Sequence, residues 1–129
     1  AATTSTLAKS DVITDFVANT KGQGTTAALI QKGATTTVAD LTGDTIDVTA
    51  ALTLAGGAST GITVFVASNA ADAQTFLQNT GNAGTLTGFA LDSTTGKLYM
   101  DFDSNGTVDS VLTLTGVTTI TEAAFVTGY

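Results

Sequence analysis

Residues 97–115 read KLYMDFDSNGTVDSVLTLT, and the alternation in this stretch restricts the fold more than any other part of the chain. Strand side chains point to opposite faces with period two, and Asn-Gly tolerates the positive φ of a tight reversal. A hairpin turning at Asn105-Gly106 is therefore predicted. A two-residue loop would pair Phe102 with Asp109 and turn that acid onto the apolar face. A three-residue loop, residues 105–107, pairs Ser104 with Val108 and Phe102 with Ser110. One face then carries Leu98, Met100, Phe102, Val108, Leu112 and Leu114, interrupted only by Ser104 and Ser110. The second register is expected, because a slip of one residue scrambles that face.

The opposite face then holds Asp101 and Asp103, with Asp109 across from Asp103. Facing like charges destabilise a strand pair by less than about 1 kcal/mol when exposed. Three carboxylates this close call for full solvation or for a cation, and both readings stay open. The same letters spell DxDxNGxxD, similar to the first nine positions of a calcium loop. Asp101, Asp103 and Asn105 would offer side-chain oxygens, Thr107 its backbone carbonyl, and Asp109 a ligand directly or through water. Leu112 stands where such loops carry a bidentate Glu, and the flanks are strands, so an EF-hand is not implied.

Composition excludes more than it includes. The chain has no Cys, His, Trp, Pro or Arg. Disulfides, thiolate nucleophiles, Ser-His-Asp or Cys-His catalysis and the usual zinc sites are thereby removed. Paired carboxylates could serve glycoside hydrolysis, but without Trp a sugar cleft is not expected. The formal charge of −7 opposes nucleic acid and anionic lipid, and favours hard cations as ionic partners. No apolar run reaches the roughly 18–20 residues of a membrane-spanning helix. Threonine supplies 29 of 129 residues, which suits a pleated surface, and 14 glycines supply turns.

Along the chain, residues 1–10 read as an N-terminal tail, either disordered or a strand exchanged with a neighbouring subunit. Residues 11–129 read as a single β-rich domain. Strands are expected over 11–17, 35–40, 45–48, 62–67, 86–91, 97–103 and 108–115, with 25–31 ambiguous between helix and strand. Residues 49–54 continue apolar after the strand at 45–48. The run ITVFVA at 62–67 is apolar enough to predict burial on both faces. One helix is expected, over 70–79, capped by Ser68 or Asn69 and with Asp72 suiting its dipole. Asp40, Asp44 and Asp47 could hold calcium, but for Asp40 and Asp44 turn-forming Asx bonds are the simpler reading. Asp11 and Asp15 read as a solvated edge. Tyr99 and Tyr129 read as packing residues.

Two motifs resemble a known family. DVITDF followed by GDTIDV resembles the segment that closes the calcium-binding repeats of RTX-type, type I-secreted bacterial proteins. GKLYMDFDSNGTVDSVLTLTGVTTITEAAF resembles the C-terminal module of those proteins, which include surface-layer-like members. Together the matches cover about half of the chain. The glycine-rich nonapeptides are missing, so the parallel β-roll is not implied, and Thr127-Gly128-Tyr129 runs past the family's usual ending. The resemblance implies export without a cleaved N-terminal signal into a calcium-rich exterior. The Ala-Ala start suits a processed product or a fragment.

The expectation is a mainly-β, sandwich-like domain with one short helix, extracellular or on a bacterial cell surface. Its expected role is structural and non-catalytic: self-assembly into a surface layer or filament as a homo-oligomer or polymer, with calcium stiffening the acidic turns and no small-molecule substrate. The alternative is a non-catalytic C-terminal secretion module of a larger type I-secreted enzyme or toxin.

Overall fold

The computed structural model describes residues 11–18, 20, 30–31, 43–55, 61–83 and 86–127. It is mainly β. Strands β1 (Asp11–Ile13), β2 (Ile30–Gln31), β4 (Gly61–Ala67), β5 (Thr87–Asp92), β6 (Lys97–Met100) and β7 (Ser110–Leu114) form one mixed sheet, ordered β1-β7-β6-β5-β4-β2. Strands β3 (Ile46–Asp47) and β8 (Phe125–Val126) form a separate parallel pair. Two helices, α1 (Thr49–Ala55) and α2 (Ala70–Ala83), and a 3-10 turn at Glu122–Ala124 complete the described elements.

The sheet is mixed because β4 and β5 run parallel. Parallel neighbours need a crossover, and α2 supplies it. Asn69 starts the helix: its Oδ1 accepts the Asp72 N–H at 2.8 Å while its Nδ2 donates to the Asp72 carboxylate at 3.1 Å. Ala73 and Leu77 lie a turn apart and are fully buried against the sheet. Gly88 on β5 lets the helix come close, since a Cβ there would sit 3.1 Å from Leu77 Cδ2. Ala90, Tyr99 and Val111 form the sheet side of this smaller core.

The other face of the sheet carries the larger core. Ile62, Phe89, Leu91, Leu98, Met100 and Leu112 pack against Ile46, Val48, Leu52 and Phe125 of the small β pair and α1. Phe89 centres it, with its ring 4.9 Å from Phe125 and 5.9 Å, edge-on, from Phe102. Among the described residues the second β layer therefore lies on one face, and the helix of the crossover covers the other.

Several local expectations need correction. The hairpin pairs Leu98 with Leu112 and Met100 with Ser110, two residues away from the expected register. A shift of two keeps parity, so Leu98, Met100, Leu112 and Leu114 still share the core face; Val108 instead packs on the helix side. The ladder stops at Met100, whose carbonyl accepts the Asp109 N–H at 2.8 Å, and residues 101–109 form a loop. Residues 49–55 are a second helix rather than more strand. The Val48 carbonyl accepts the Leu52 N–H at 2.9 Å, and the Asp47 carboxylate accepts the first helical N–H, from Thr49, at 2.9 Å. Alanine and leucine favour a helix once a cap starts one. Strand β4 is not buried on both faces, because Phe65 and Val66 are 39% and 37% exposed. The strand at 11–17 ends at Ile13. Residues 1–10, 25–29 and 35–40 and Tyr129, with the readings placed on them, lie outside the described residues.

Candidate metal centre

The loop between β6 and β7 is built by its own acidic side chains. Asp101 follows the last residue of β6 and is buried, at 1% exposure. Its Oδ2 accepts the Gly106 N–H at 2.8 Å and its Oδ1 the Asn105 N–H at 3.2 Å. Asp103 Oδ1 accepts the same Asn105 N–H at 3.2 Å, and its Oδ2 accepts Asn105 Nδ2 at 3.0 Å. Asn105 Oδ1 in turn accepts the Thr107 N–H at 2.7 Å. Asp109 Oδ2 reaches back to the Phe102 N–H at 2.8 Å and the Asp103 N–H at 3.4 Å. Each short polar side chain thus holds a backbone donor a few residues away, the reason Asp and Asn favour turns over ladders. The path needs left-handed backbone at Ser104 (φ 59°) and Gly106 (φ 85°).

The loop is also wedged against the rest of the fold. Gly81, in the last turn of α2, faces the backbone of Asn105 and Gly106 so closely that a side chain there would collide. The Ser104 and Thr87 hydroxyls lie 3.0 Å apart, joining the loop to β5. The carbonyl end of α2 adds partial negative charge beside the carboxylates.

The result is a cluster: one carboxylate oxygen from each of Asp101, Asp103 and Asp109 lies within 4.8 Å of the others. Burial pushes the Asp101 carboxyl up to about 6, with the neighbouring Asp103 and Asp109 adding to the rise and the Gly106 and Asn105 N–H groups opposing it. Burial also raises Asp109, helped by the charge of Asp103. Lys97, the one lysine among the described residues, stands at the far end of β6. Oxygens this close fit around one ion bound at about 2.3–2.6 Å, the range of calcium, and a divalent charge would relieve their repulsion. These three residues could hold a metal ion.

Of the five ligands expected, the structure gathers the three aspartates. Asn105 and Thr107 lie in the same loop, exposed, with the Asn105 oxygen engaged by the Thr107 amide. The expected geometry, Asp103 facing Asp109 across a ladder, is replaced by a loop in which Asp109 bonds the Asp103 amide.

The carboxylates of Asp92, Asp47 and Asp44 also hold backbone amides. Asp92 accepts the Thr94 N–H and the Thr94 and Thr95 hydroxyls at 2.9, 2.6 and 2.9 Å, and the Thr94 hydroxyl chiefly holds its carboxyl below the ordinary range. Hydrogen bonds from Thr49 lower Asp47 in the same way. Asp44 accepts the Val17 N–H at 2.9 Å. The Asp47 bond to Thr49 is local and Asx-like, whereas Asp44, expected to make such a bond, holds an amide 27 residues away; Asp40 lies outside the described residues. Tyr99 is buried and packs, as expected. Glu122, buried at 7% exposure, is a structural group that the sequence reading does not single out. Among the described residues no helix is long and apolar enough to cross a membrane. Compared with known proteins, the chain matches no family model, no curated protein and no solved structure.

Proposed function

We propose that this chain is an extracellular, non-catalytic structural domain that binds calcium at Asp101, Asp103 and Asp109 and assembles with copies of itself into a surface layer or filament. The observation that carries the reading is the carboxylate cluster around the buried Asp101. A fold that places three acids so close loses stability unless something offsets their charge, and calcium is the hard cation that exterior fluids supply at the concentrations weak loops need. The motifs that resemble RTX-type, type I-secreted proteins, a likeness read from the sequence alone, would fit that setting. The non-catalytic part rests on the lack of His and Cys and on described carboxylates that are spent on backbone amides.

Electron microscopy of the purified chain, with calcium and with chelator, tests the role. Regular arrays or filaments in calcium that disperse in chelator are expected. Dispersed monomers in both conditions would contradict the assembly and turn attention to a secretion module of a larger protein.

A further inference from the structure

Asn105-Gly106 is the one Asn-Gly pair in the chain. In such a pair the backbone nitrogen after the asparagine can attack the side-chain amide, since glycine sets no side chain beside that nitrogen. Attack joins the Gly106 nitrogen to Asn105 Cγ and breaks the Cγ–Nδ2 bond. The proton lost from the Gly106 amide leaves with the amino group as ammonia. Water then opens the cyclic imide on either side, giving aspartate or isoaspartate. Asn105 is exposed, and water is the only co-reactant.

The loop supplies what each part of this step needs. The Gly106 N–H donates to Asp101 Oδ2 at 2.8 Å, within reach for a carboxylate to take its proton. Asn105 Oδ1 accepts the Thr107 N–H at 2.7 Å, a donor aimed at the oxygen on which negative charge develops. Asn105 Nδ2, the leaving group, donates to Asp103 Oδ2 at 3.0 Å. Two torsions of Asn105 itself, ψ and χ1, set the separation of the nitrogen and carbon that join. Asn69 and Asn79 have no such surroundings: one caps α2 and the other lies within it.

We propose that Asn105 is a self-modification site, converted to aspartate and isoaspartate with Asp101 as the base and the Thr107 amide as the oxyanion donor. One half of the inference rests on the calcium reading. An ion drawing on Asp101, Asp103 and Asp109 takes the base from the Gly106 amide, so calcium protects Asn105. The products strain the loop: a carboxylate at this position loses the Nδ2 bond and repels Asp103, and isoaspartate lengthens the backbone path.

The test holds the full chain in chelator at pH 7.5, folded or unfolded in urea, and follows each asparagine by peptide mass spectrometry. Modification of Asn105 is expected roughly tenfold faster in the folded chain than in the unfolded one, with Asn79 unchanged. A folded chain modified no faster than the unfolded chain would overturn the proposal, and this comparison needs no variant. Asp101→Asn is expected to abolish the acceleration; a folded Asp101→Asn chain that keeps it would overturn the role of Asp101. Calcium is expected to slow the folded chain roughly tenfold. Acceleration that calcium leaves intact would contradict the protection and the calcium reading beneath it, whereas the comparison in chelator does not depend on either.

Discussion

Asp101 is the residue on which the account turns. Its carboxyl is raised to about 6 from an ordinary value of 3.8, so the folded chain holds a proton there that the unfolded chain has already released. Stability from this group is therefore complete below about pH 4 and falls as pH rises through 6. Asp109 is raised as well and adds to the same loss, whereas Asp92 and Asp47 are shifted the other way and matter only at more acidic pH. Calorimetry in chelator is expected to show the melting temperature dropping by several degrees between pH 4.5 and 7.5, and Asp101→Asn is expected to flatten that slope. Calcium should oppose it, because the ion takes the ionised form. A slope unchanged by Asp101→Asn would remove Asp101 from this role. The identities of these acids were legible in the sequence, since DxDxNGxxD names them. Their arrangement was not, because a ladder and a loop use the same letters and differ only in which amides the carboxylates capture.

At the scale of elements, the contact between α2 and the acidic loop makes an unusual prediction. Gly→Ala inside a helix normally stabilises by up to about 1 kcal/mol. At Gly81 the added methyl would meet the Gly106 backbone, so Gly81→Ala is expected to destabilise by about 1–3 kcal/mol in urea melts. It should also lower calcium affinity by displacing the loop. The cap of the same helix gives an ordinary case: Asn69→Ala should cost about 1 kcal/mol and leave calcium binding unchanged. Helix α2 was readable from Asn69, Asp72 and the Ala73–Leu77 spacing, and β4 from its β-branched run. Helix α1 was missed because seven residues hold too little periodicity to separate a helix from a strand, and Asp47 decides it by capping. The exposure of Phe65 and Val66 was equally hidden, since an apolar strand does not say which neighbours cover it.

For the whole molecule, alternation and threonine content sufficed to predict a mainly-β fold, while the parallel pairing of β4 and β5 depends on contacts no local pattern encodes. Phe89 joins both layers of the larger core, and Phe89→Ala is expected to destabilise by about 3–5 kcal/mol, enough to unfold a marginal domain. The loop, the crossover helix and the sheet meet at the acidic cluster, so an ion bound there would brace all three. The most direct test is a calcium titration by calorimetry at pH 7.5, on the parent chain and on Asp103→Ala, with melting curves in calcium and in chelator. One binding event, a higher melting temperature in calcium, and loss of both in Asp103→Ala are predicted. No binding heat at millimolar calcium and identical melting curves would contradict the account.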